Sequence, residues 1–342
     1  NLAMIDEAVT SSLQLWDLPG DAKVTRINVS ENVTYRIDSA SDCAVLRVHR
    51  PGYHTRRAIE CELAWIEALQ GQGIVRTAAI RRGRDGSAIQ QSSFADETIR
   101  FLVLFDFIDG KAPSEAGDLA PAFRELGAIA AATHLHSIEW QQPEPFERLT
   151  WNVETVFGPN AHWGNWRDAP NVTPGVQDIL EQVEQVVRKR LAAFGTSPDR
   201  YGLIHADMRL ANLIQSDAGT HLIDFDDSGF GWHLYDFAAA ISFIEDNPQI
   251  PALKQAWVEG YRTVRELPES DVAELDTFIM LRRLALLAWI GSHIKAPEPQ
   301  ALAPDFARVS AELGARYLEN LPELQRTASR SHLAGNTSEV WR

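Results

Sequence analysis

Residues 202–238 read GLIHADMRLANLIQSDAGTHLIDFDDSGFGWHLYDFA, short apolar runs broken by carboxylates. Tyr201 to Ile204 is apolar, and His205, Ala206 and Asp207 follow it as a loop. Asn212-Leu213-Ile214 resumes a strand, Ser216-Asp217-Ala218-Gly219 supplies turn residues, and Leu222-Ile223-Asp224-Phe225 reads as the returning strand. The pattern predicts a hairpin whose register carries the chemistry. With the turn centred between Asp217 and Ala218, position 212 lies opposite 223. Asn212 and Asp224 then come within about one residue of facing each other, where paired side chains stand about 5 Å apart at Cβ. An amide oxygen and a carboxylate at that spacing suit a small hard cation, and Mg²⁺ takes oxygen ligands while keeping sites for water and phosphate. Asp207, five residues before Asn212, falls at the mouth of the same hairpin, placed to act as a base.

The order His205-x-Asp207-x(4)-Asn212, then Ile223-Asp224-Phe225-Asp226, resembles the catalytic and metal loops of the aminoglycoside phosphotransferase-like kinases. That family also holds choline kinases, homoserine kinases of the second type and bacterial stress-response kinases. The resemblance covers about residues 24 to 320. It implies an α+β, protein-kinase-like two-lobed fold: a small antiparallel-sheet N-lobe over 1–104, a hinge over 105–110 and a larger mainly helical C-lobe over 111–320, while the polar composition of 321–342 reads as a C-terminal tail. It also implies ATP and Mg²⁺ as cofactors. In such a site Asp207 accepts the acceptor hydroxyl proton, His205 fixes the loop, and Asn212 and Asp224 hold the metal with help from Asp226. Asp236 is expected to hydrogen-bond the backbone of the catalytic loop.

Composition bounds the reading from outside. At 342 residues the chain exceeds what one core usually organises. A formal charge of −15 excludes the basic footprint that nucleic acid or an anionic membrane demands, and favours a cationic or zwitterionic small molecule as acceptor. The two cysteines, Cys43 and Cys61, lie in apolar segments without metal spacing, as in a reducing cytoplasm. No apolar stretch is long enough to span a bilayer; the most apolar, Leu284 to Ile290, follows Arg282 and Arg283 and stops at Gly291. The N-terminal segment has no basic region ahead of an apolar core, so no signal peptide is expected.

Upstream of the hairpin, residues 5–16 read as an amphipathic helix, and Val24–Val29, Val33–Ile37 and Ala44–His49 as antiparallel strands. In the family the first hairpin covers the nucleotide phosphates, which makes Ser30 and Asn32 candidates for phosphate contact. The third strand aligns with the one bearing the family's nucleotide-contacting lysine, here Arg47. Leu46 and Val48 point to one face and Arg47 to the other. Helix 56–69 puts Glu62 on its apolar face, where a carboxylate requires a cation, and Arg47 is the candidate. Phe101 to Gly110 resembles the last N-lobe strand running into the hinge, with backbone at Phe105 to Phe107 reading adenine.

From Leu119 the period becomes helical, and His136 reads as a packed core histidine. The aromatic segment 149–166 contains Trp163, a candidate for lining the acceptor site. Further acceptor candidates are Arg209, Asp227, Ser228, Trp232, Arg282 and His293. Arg282 and Arg283 interrupt an apolar helix, so at least one must meet a carboxylate. The function implied is phosphorylation of a hydroxyl on an aminoglycoside, amino alcohol or hydroxy amino acid. Two alternatives stay open: a Ser/Thr protein kinase, against which the short Asp224 to Asp236 interval argues, and a nucleotide-binding pseudokinase.

Overall fold

The computed structural model describes residues 2–19, 21–29, 32–94 and 98–333, with side chains through residue 321. The chain divides into two compact units. The first is Asn1–Glu115, Leu135–Leu149 and Leu210–Ser228; the second is Ala116–His134, Thr150–Arg209 and Gly229–Arg342.

In the first unit, helix α1 (Leu2–Ser12) and a short 3₁₀ turn precede an antiparallel sheet of β1 (Lys23–Val29), β2 (Val33–Asp38), β3 (Cys43–Val48), β4 (Ile80–Arg81), β5 (Gln90–Ser93) and β6 (Ile99–Asp106). The spatial order is β1-β2-β3-β6-β4, with β5 also paired to β6. Strand alternation shows why the sheet is two-faced. In β2, Val33, Tyr35 and Ile37 are buried while Thr34, Arg36 and Asp38 stay half-exposed. Tyr35, Leu46, Val48, Leu102 and Leu104 share a core with Ile5, Val9 and Trp16 from the N-terminal helix and the turn after it. Arg47, between Leu46 and Val48, presents to the other side and meets helix α2 (Arg56–Gly71). That helix is started by Thr55, whose Oγ1 accepts the Ala58 N–H at 3.0 Å, a cap worth about 1 kcal/mol.

The second unit is built on helices. They are α3 (Ala120–Glu139, its last turn lying in the first unit), α4 (Val153–Phe157), α5 (Pro174–Phe194), α6 (Tyr235–Ala240), α7 (Ile250–Arg262), α8 (Glu269–Val272), α9 (Leu275–Ser292) and α10 (Pro297–Leu333). Helix α9 is buried on nearly every side, as its predominantly apolar composition requires, and carries Arg282 and Arg283 inside. Helices α3 and α7 cross with their backbones almost touching. A Cβ added to Gly127 would stand 2.0 Å from the Trp257 carbonyl oxygen, and one on Gly260 would stand 1.8 Å from that of Arg124. Only hydrogen fits at either position. A small sheet, β7 (Leu149–Trp151), β8 (Tyr201–Ile204) and β11 (Gly229–Trp232), has β11 in the middle. Among the described residues no helix is long and apolar enough to cross a membrane.

The last helix runs to Leu333, so the polar stretch from 321 begins as helix. Both cysteines are free thiols.

Candidate active site

Strand β8 runs into the loop of His205, Ala206 and Asp207 in the second unit. It pairs antiparallel with β11, Ile204 opposite Gly229. The next residues leave the strand abruptly: Ala206 has φ +67°, a left-handed backbone that a side chain other than glycine's adopts only when held there. Asp236, in the first turn of α6 and fully buried, does the holding. Its carboxylate accepts the Ala206 N–H at 2.7 Å and the His205 N–H at 3.4 Å. His205, also fully buried, accepts the Asp207 N–H on Nδ1 at 3.2 Å. The expected loop-fixing parts of Asp236 and His205 are therefore present as hydrogen bonds.

Asp236 is itself supported from below. His134 Nε2 lies 2.6 Å from its Oδ2, His134 Nδ1 lies 2.9 Å from the Tyr261 hydroxyl, and Arg265 donates to that hydroxyl at 2.8 Å. With Arg265 filling one lone pair of Tyr261, the hydroxyl donates to Nδ1 and neutral His134 donates from Nε2 to the carboxylate. Burial holds His134 well below its usual range, in keeping with the neutral ring.

Burial also pushes the Asp236 carboxyl from its ordinary 3.8 up to about 6, against the opposing pull of His205 and of the two N–H donors. The folded value is above the unfolded one, so this group's stabilising contribution is complete below about pH 4 and is lost as pH rises through about 6. Asp236→Asn removes it. The stability advantage of the wild type over this variant is expected to grow as pH falls from 7 to 4, read by urea unfolding at several pH values. A constant or shrinking difference would show that the carboxyl is not raised.

Asp207 itself is mostly buried, its side chain 15% exposed, and its Oδ1 lies 3.2 Å from Arg282 and 3.0 Å from Arg209. Arg209 also stands over the Phe243 ring at 5.8 Å. Two acceptor candidates, Arg209 and Arg282, are thus gathered on the Asp207 carboxylate. Trp163 joins them through Arg282, whose guanidinium is 5.3 Å from its ring. His293 is half-buried at the C-terminal end of α9, stacked on Trp289 with Nδ1 3.1 Å from the Trp289 carbonyl. Trp232 is not gathered there. Its indole N–H bonds the Gly195 carbonyl at 2.7 Å and its ring packs edge-on to Tyr201, so it is a core residue without a face for an acceptor.

The hairpin that bears Asn212 and Asp224 belongs to the first unit. Strands β9 (Leu213–Ser216) and β10 (Gly219–Leu222) pair Leu213 with Leu222 and Ser216 with Gly219. The Ile223 N–H bonds the Asn212 carbonyl at 2.9 Å, so 212 stands opposite 223 as the turn required. The returning strand stops sooner than expected. It ends at Leu222, because Asp224 adopts φ +59°, which turns the chain out of the ladder.

That turn separates the three aspartates. The Asp224 side chain is 46% exposed; that of Asp226 is 8% exposed and meets His54 Nε2 at 3.4 Å. Burial disfavours the Asp226 charge, but His54 and Arg47 outweigh it and hold the carboxyl well below the usual range. The structure thus sets Asp226 among His54, His49 and Arg47, with Asp224 the more exposed of the two carboxylates. Asp227 accepts the Tyr53 hydroxyl at 3.0 Å. Ser228 is fully buried, which removes it from the acceptor candidates.

Among the described residues no three His, Cys, Asp or Glu side chains cluster for a metal ion. Asn212 and Asp224 offer two hard oxygen donors, and a site of that kind suits Mg²⁺, which completes its shell with water and phosphate.

Arg47 lies beside this hairpin. Its Nη2 bonds Glu62 at 2.7 Å, the expected pair, with both groups buried, and its Nη1 is 3.9 Å from Asp224 and 4.0 Å from Asp226. Phe105 packs under the same guanidinium at 5.3 Å, and Phe107 under that of Arg36 at 4.3 Å. Backbone at Phe105 is inside the sheet, paired to Val45 and Ile80, and the Asp106 N–H bonds the Ala79 carbonyl. This corrects the expectation that the Phe105 backbone would read an adenine edge; Phe107 lies past the end of β6. Asn32 is buried, with its Oδ1 accepting the Arg50 N–H at 3.1 Å, a bond that ties the start of β2 to the chain after β3. Ser30 lies outside the described residues.

One residue of this unit escaped the sequence reading. The Arg148 side chain is fully buried and donates to the carbonyls of Ala58 at 3.0 Å, Ser228 at 2.7 Å, Phe225 at 3.4 Å and Asp226. It gathers the backbone that follows Asp224. An arginine that serves carbonyls leaves no spacing pattern in a sequence.

Comparison with known proteins comes to the same place. The model of the APH phosphotransferase enzyme family matches residues 23–267. The structure of a microcompartment-associated aminopropanol kinase is similar with a TM-score of 0.85 and 39% identity, covering 91% of this chain and 97% of that one. Amicoumacin kinase of Bacillus subtilis (strain 168) is 20% identical over 269 residues, 75% of this chain and 76% of its own. A structure of the amicoumacin kinase hAmiN in complex with AMP-PNP, Ca²⁺ and Ami has a TM-score of 0.73 at 20% identity, covering 90% and 92%.

Proposed function

The chain belongs to the phosphotransferase enzyme family, and from that premise we propose that it is an ATP-dependent, Mg²⁺-requiring kinase for the hydroxyl of a small amino alcohol or related amine-bearing acceptor. The observation that carries this reading is one continuous stretch: a loop carboxylate, Asp207, gripped through its backbone, followed by Asn212 and Asp224 at the open end of a hairpin whose register is fixed.

Asp207 orients the acceptor hydroxyl and takes its proton as the new oxygen–phosphorus bond forms. The bond from the γ-phosphorus to the bridging oxygen breaks, and ADP leaves. Asn212 and Asp224 would hold the metal, which when bound would neutralise charge on the phosphate oxygens. Arg47, fixed by Glu62, positions the nucleotide. Similarity to the aminopropanol kinase over most of both chains supports an amino alcohol as acceptor. A charge of −15 supports one that carries an ammonium group. Use of ATP supports a cytoplasmic reaction.

The test is ADP release from Mg·ATP across amino alcohols, hydroxylated amino acids, aminoglycosides, sugars and a generic protein acceptor. An amino alcohol is expected to give the strong signal, lost on EDTA treatment and restored by Mg²⁺. Labelling of the protein acceptor alone would favour a protein kinase. An ATP-dependent rise in Tm with no ADP formed would favour a pseudokinase, and silence in both assays would overturn the reading.

A further inference from the structure

Helix α9 places two arginines side by side inside the second unit, and they do different work. Arg283 donates to Ser310 Oγ at 2.7 Å and to the Phe306 carbonyl at 3.2 Å, and it pairs with the buried Glu245. All three partners lie outside the catalytic loop.

Arg282 faces that loop. Its Nη2 reaches Asp207 Oδ1 at 3.2 Å, and its Nη1 reaches the Ala206 carbonyl at 3.3 Å and the Tyr235 hydroxyl at 3.2 Å. Its Nε donates to Ser242 Oγ at 3.1 Å. The rings of Trp163 and Tyr235 stand 5.3 and 5.5 Å from the guanidinium carbon. The side chain is 3% exposed, so the planar fork is held in place on every side.

Two consequences follow for the loop. The left-handed Ala206 is gripped at both ends, its N–H by Asp236 and its carbonyl by Arg282. The carboxylate one residue on is then steered by the same guanidinium. Arg209 also reaches Asp207, but from the same loop and from a side chain 30% exposed, with the Phe243 ring 5.8 Å away as its contact beyond the loop, a looser hold than that of buried Arg282.

We propose that Arg282 is a positioning residue that holds Asp207 in the rotamer that meets the acceptor hydroxyl, with Trp163 and Ser242 fixing Arg282 in turn. Trp163 then serves the arginine rather than the acceptor. The proposal rests on the reading of Asp207 as the group that orients the hydroxyl. Misplacing such a group by about 1 Å costs on the order of 10²-fold in rate.

The experiment measures kcat and acceptor KM, with the best acceptor from the panel above, for Arg282→Met, Arg282→Lys, Arg282→Ala with added guanidinium, Arg283→Met and Asp207→Asn. Arg282→Met is expected to lower kcat about 10²-fold with acceptor KM little changed. Lysine, which keeps the charge but not the fork, should fall less far. Guanidinium should restore part of kcat to Arg282→Ala and none to Arg283→Met, whose folded fraction keeps wild-type turnover.

A rise in acceptor KM at unchanged kcat would make Arg282 an acceptor contact and overturn the proposal. So would activity that only tracks the folded fraction in the Arg282 and Arg283 variants alike, without rescue. If methionine or alanine at 282 prevents folding, the lysine variant decides: wild-type kcat at lowered Tm rejects positioning. Asp207→Asn separates the two levels. Its full activity would sink the reading of Asp207 itself, whereas its inactivity beside a fully active Arg282→Met would sink this proposal alone.

Discussion

Asp207→Asn is expected to lower kcat about 10²–10⁴-fold, the range a positioned acid or base contributes, while the protein stays folded. The asymmetry follows from what surrounds the carboxylate. Arg282 Nη2 reaches Asp207 Oδ1 at 3.2 Å, and an asparagine oxygen in the same place still accepts that bond. The loop is held through backbone atoms of His205, Ala206 and Asp207, none of which the substitution touches. What disappears is the capacity to take a proton from the acceptor. Turnover with the acceptor found in the panel, together with Tm, checks the point. Activity close to wild type would remove Asp207 from the reaction, and a collapse of Tm would mean that its charge is chiefly structural.

Arg148→Met should be the most damaging single change to the first unit, by about 3–5 kcal/mol, the cost of breaking a buried charged network. Methionine fills similar space but donates nothing. The carbonyls of Ala58, Phe225, Asp226 and Ser228 lose their donor, and each buried unsatisfied acceptor costs about 1–3 kcal/mol before relaxation. Glu62, with an oxygen 3.9 Å from Arg148, also loses a compensating charge and keeps Arg47. Lysine at 148 preserves the charge but cannot span carbonyls on both sides with one ammonium, so an intermediate loss is expected. Thermal melts should show a drop on the order of 10 °C for the methionine variant. Because three of the four carbonyls follow Asp224 directly, the Mg·ATP-dependent rise in Tm should shrink as well. An unchanged melt would show that the chain after Asp224 holds itself.

Much of this was legible beforehand, and the legible parts share a cause. The hairpin register came from period-2 alternation and turn residues, which act within a dozen positions, and it holds from Ser216–Gly219 through Leu213–Leu222. Glu62 on an apolar helix face demanded a cation, and Arg47 on the adjoining strand supplied it, because a lone buried charge is too costly to leave unpaired. The same reasoning required partners for Arg282 and Arg283 but did not say which, since the choice among carboxylates is made by tertiary packing.

What stayed hidden involves backbone. No residue pattern announces that Asp224 turns left-handed and so parts its own exposed side chain from that of Asp226. Arg148 was invisible because carbonyls have no letter in the sequence. Trp232 misled because an aromatic near the reaction centre reads the same whether its N–H is spent on Gly195 or not.

The crossing of α3 and α7 reaches further than its location suggests. His134 comes seven residues after Gly127, two turns on and on the same face, and Tyr261 directly follows Gly260. Those two side chains meet at 2.9 Å and pass their support to Asp236 and the left-handed Ala206. A methyl group at either glycine would wedge the helices apart and draw that prop away from the loop. A map of tolerated substitutions drawn from activity alone would mark both positions as intolerant, although neither owns a side chain with which to touch anything. What such a map would register there is the thickness of a helix pair.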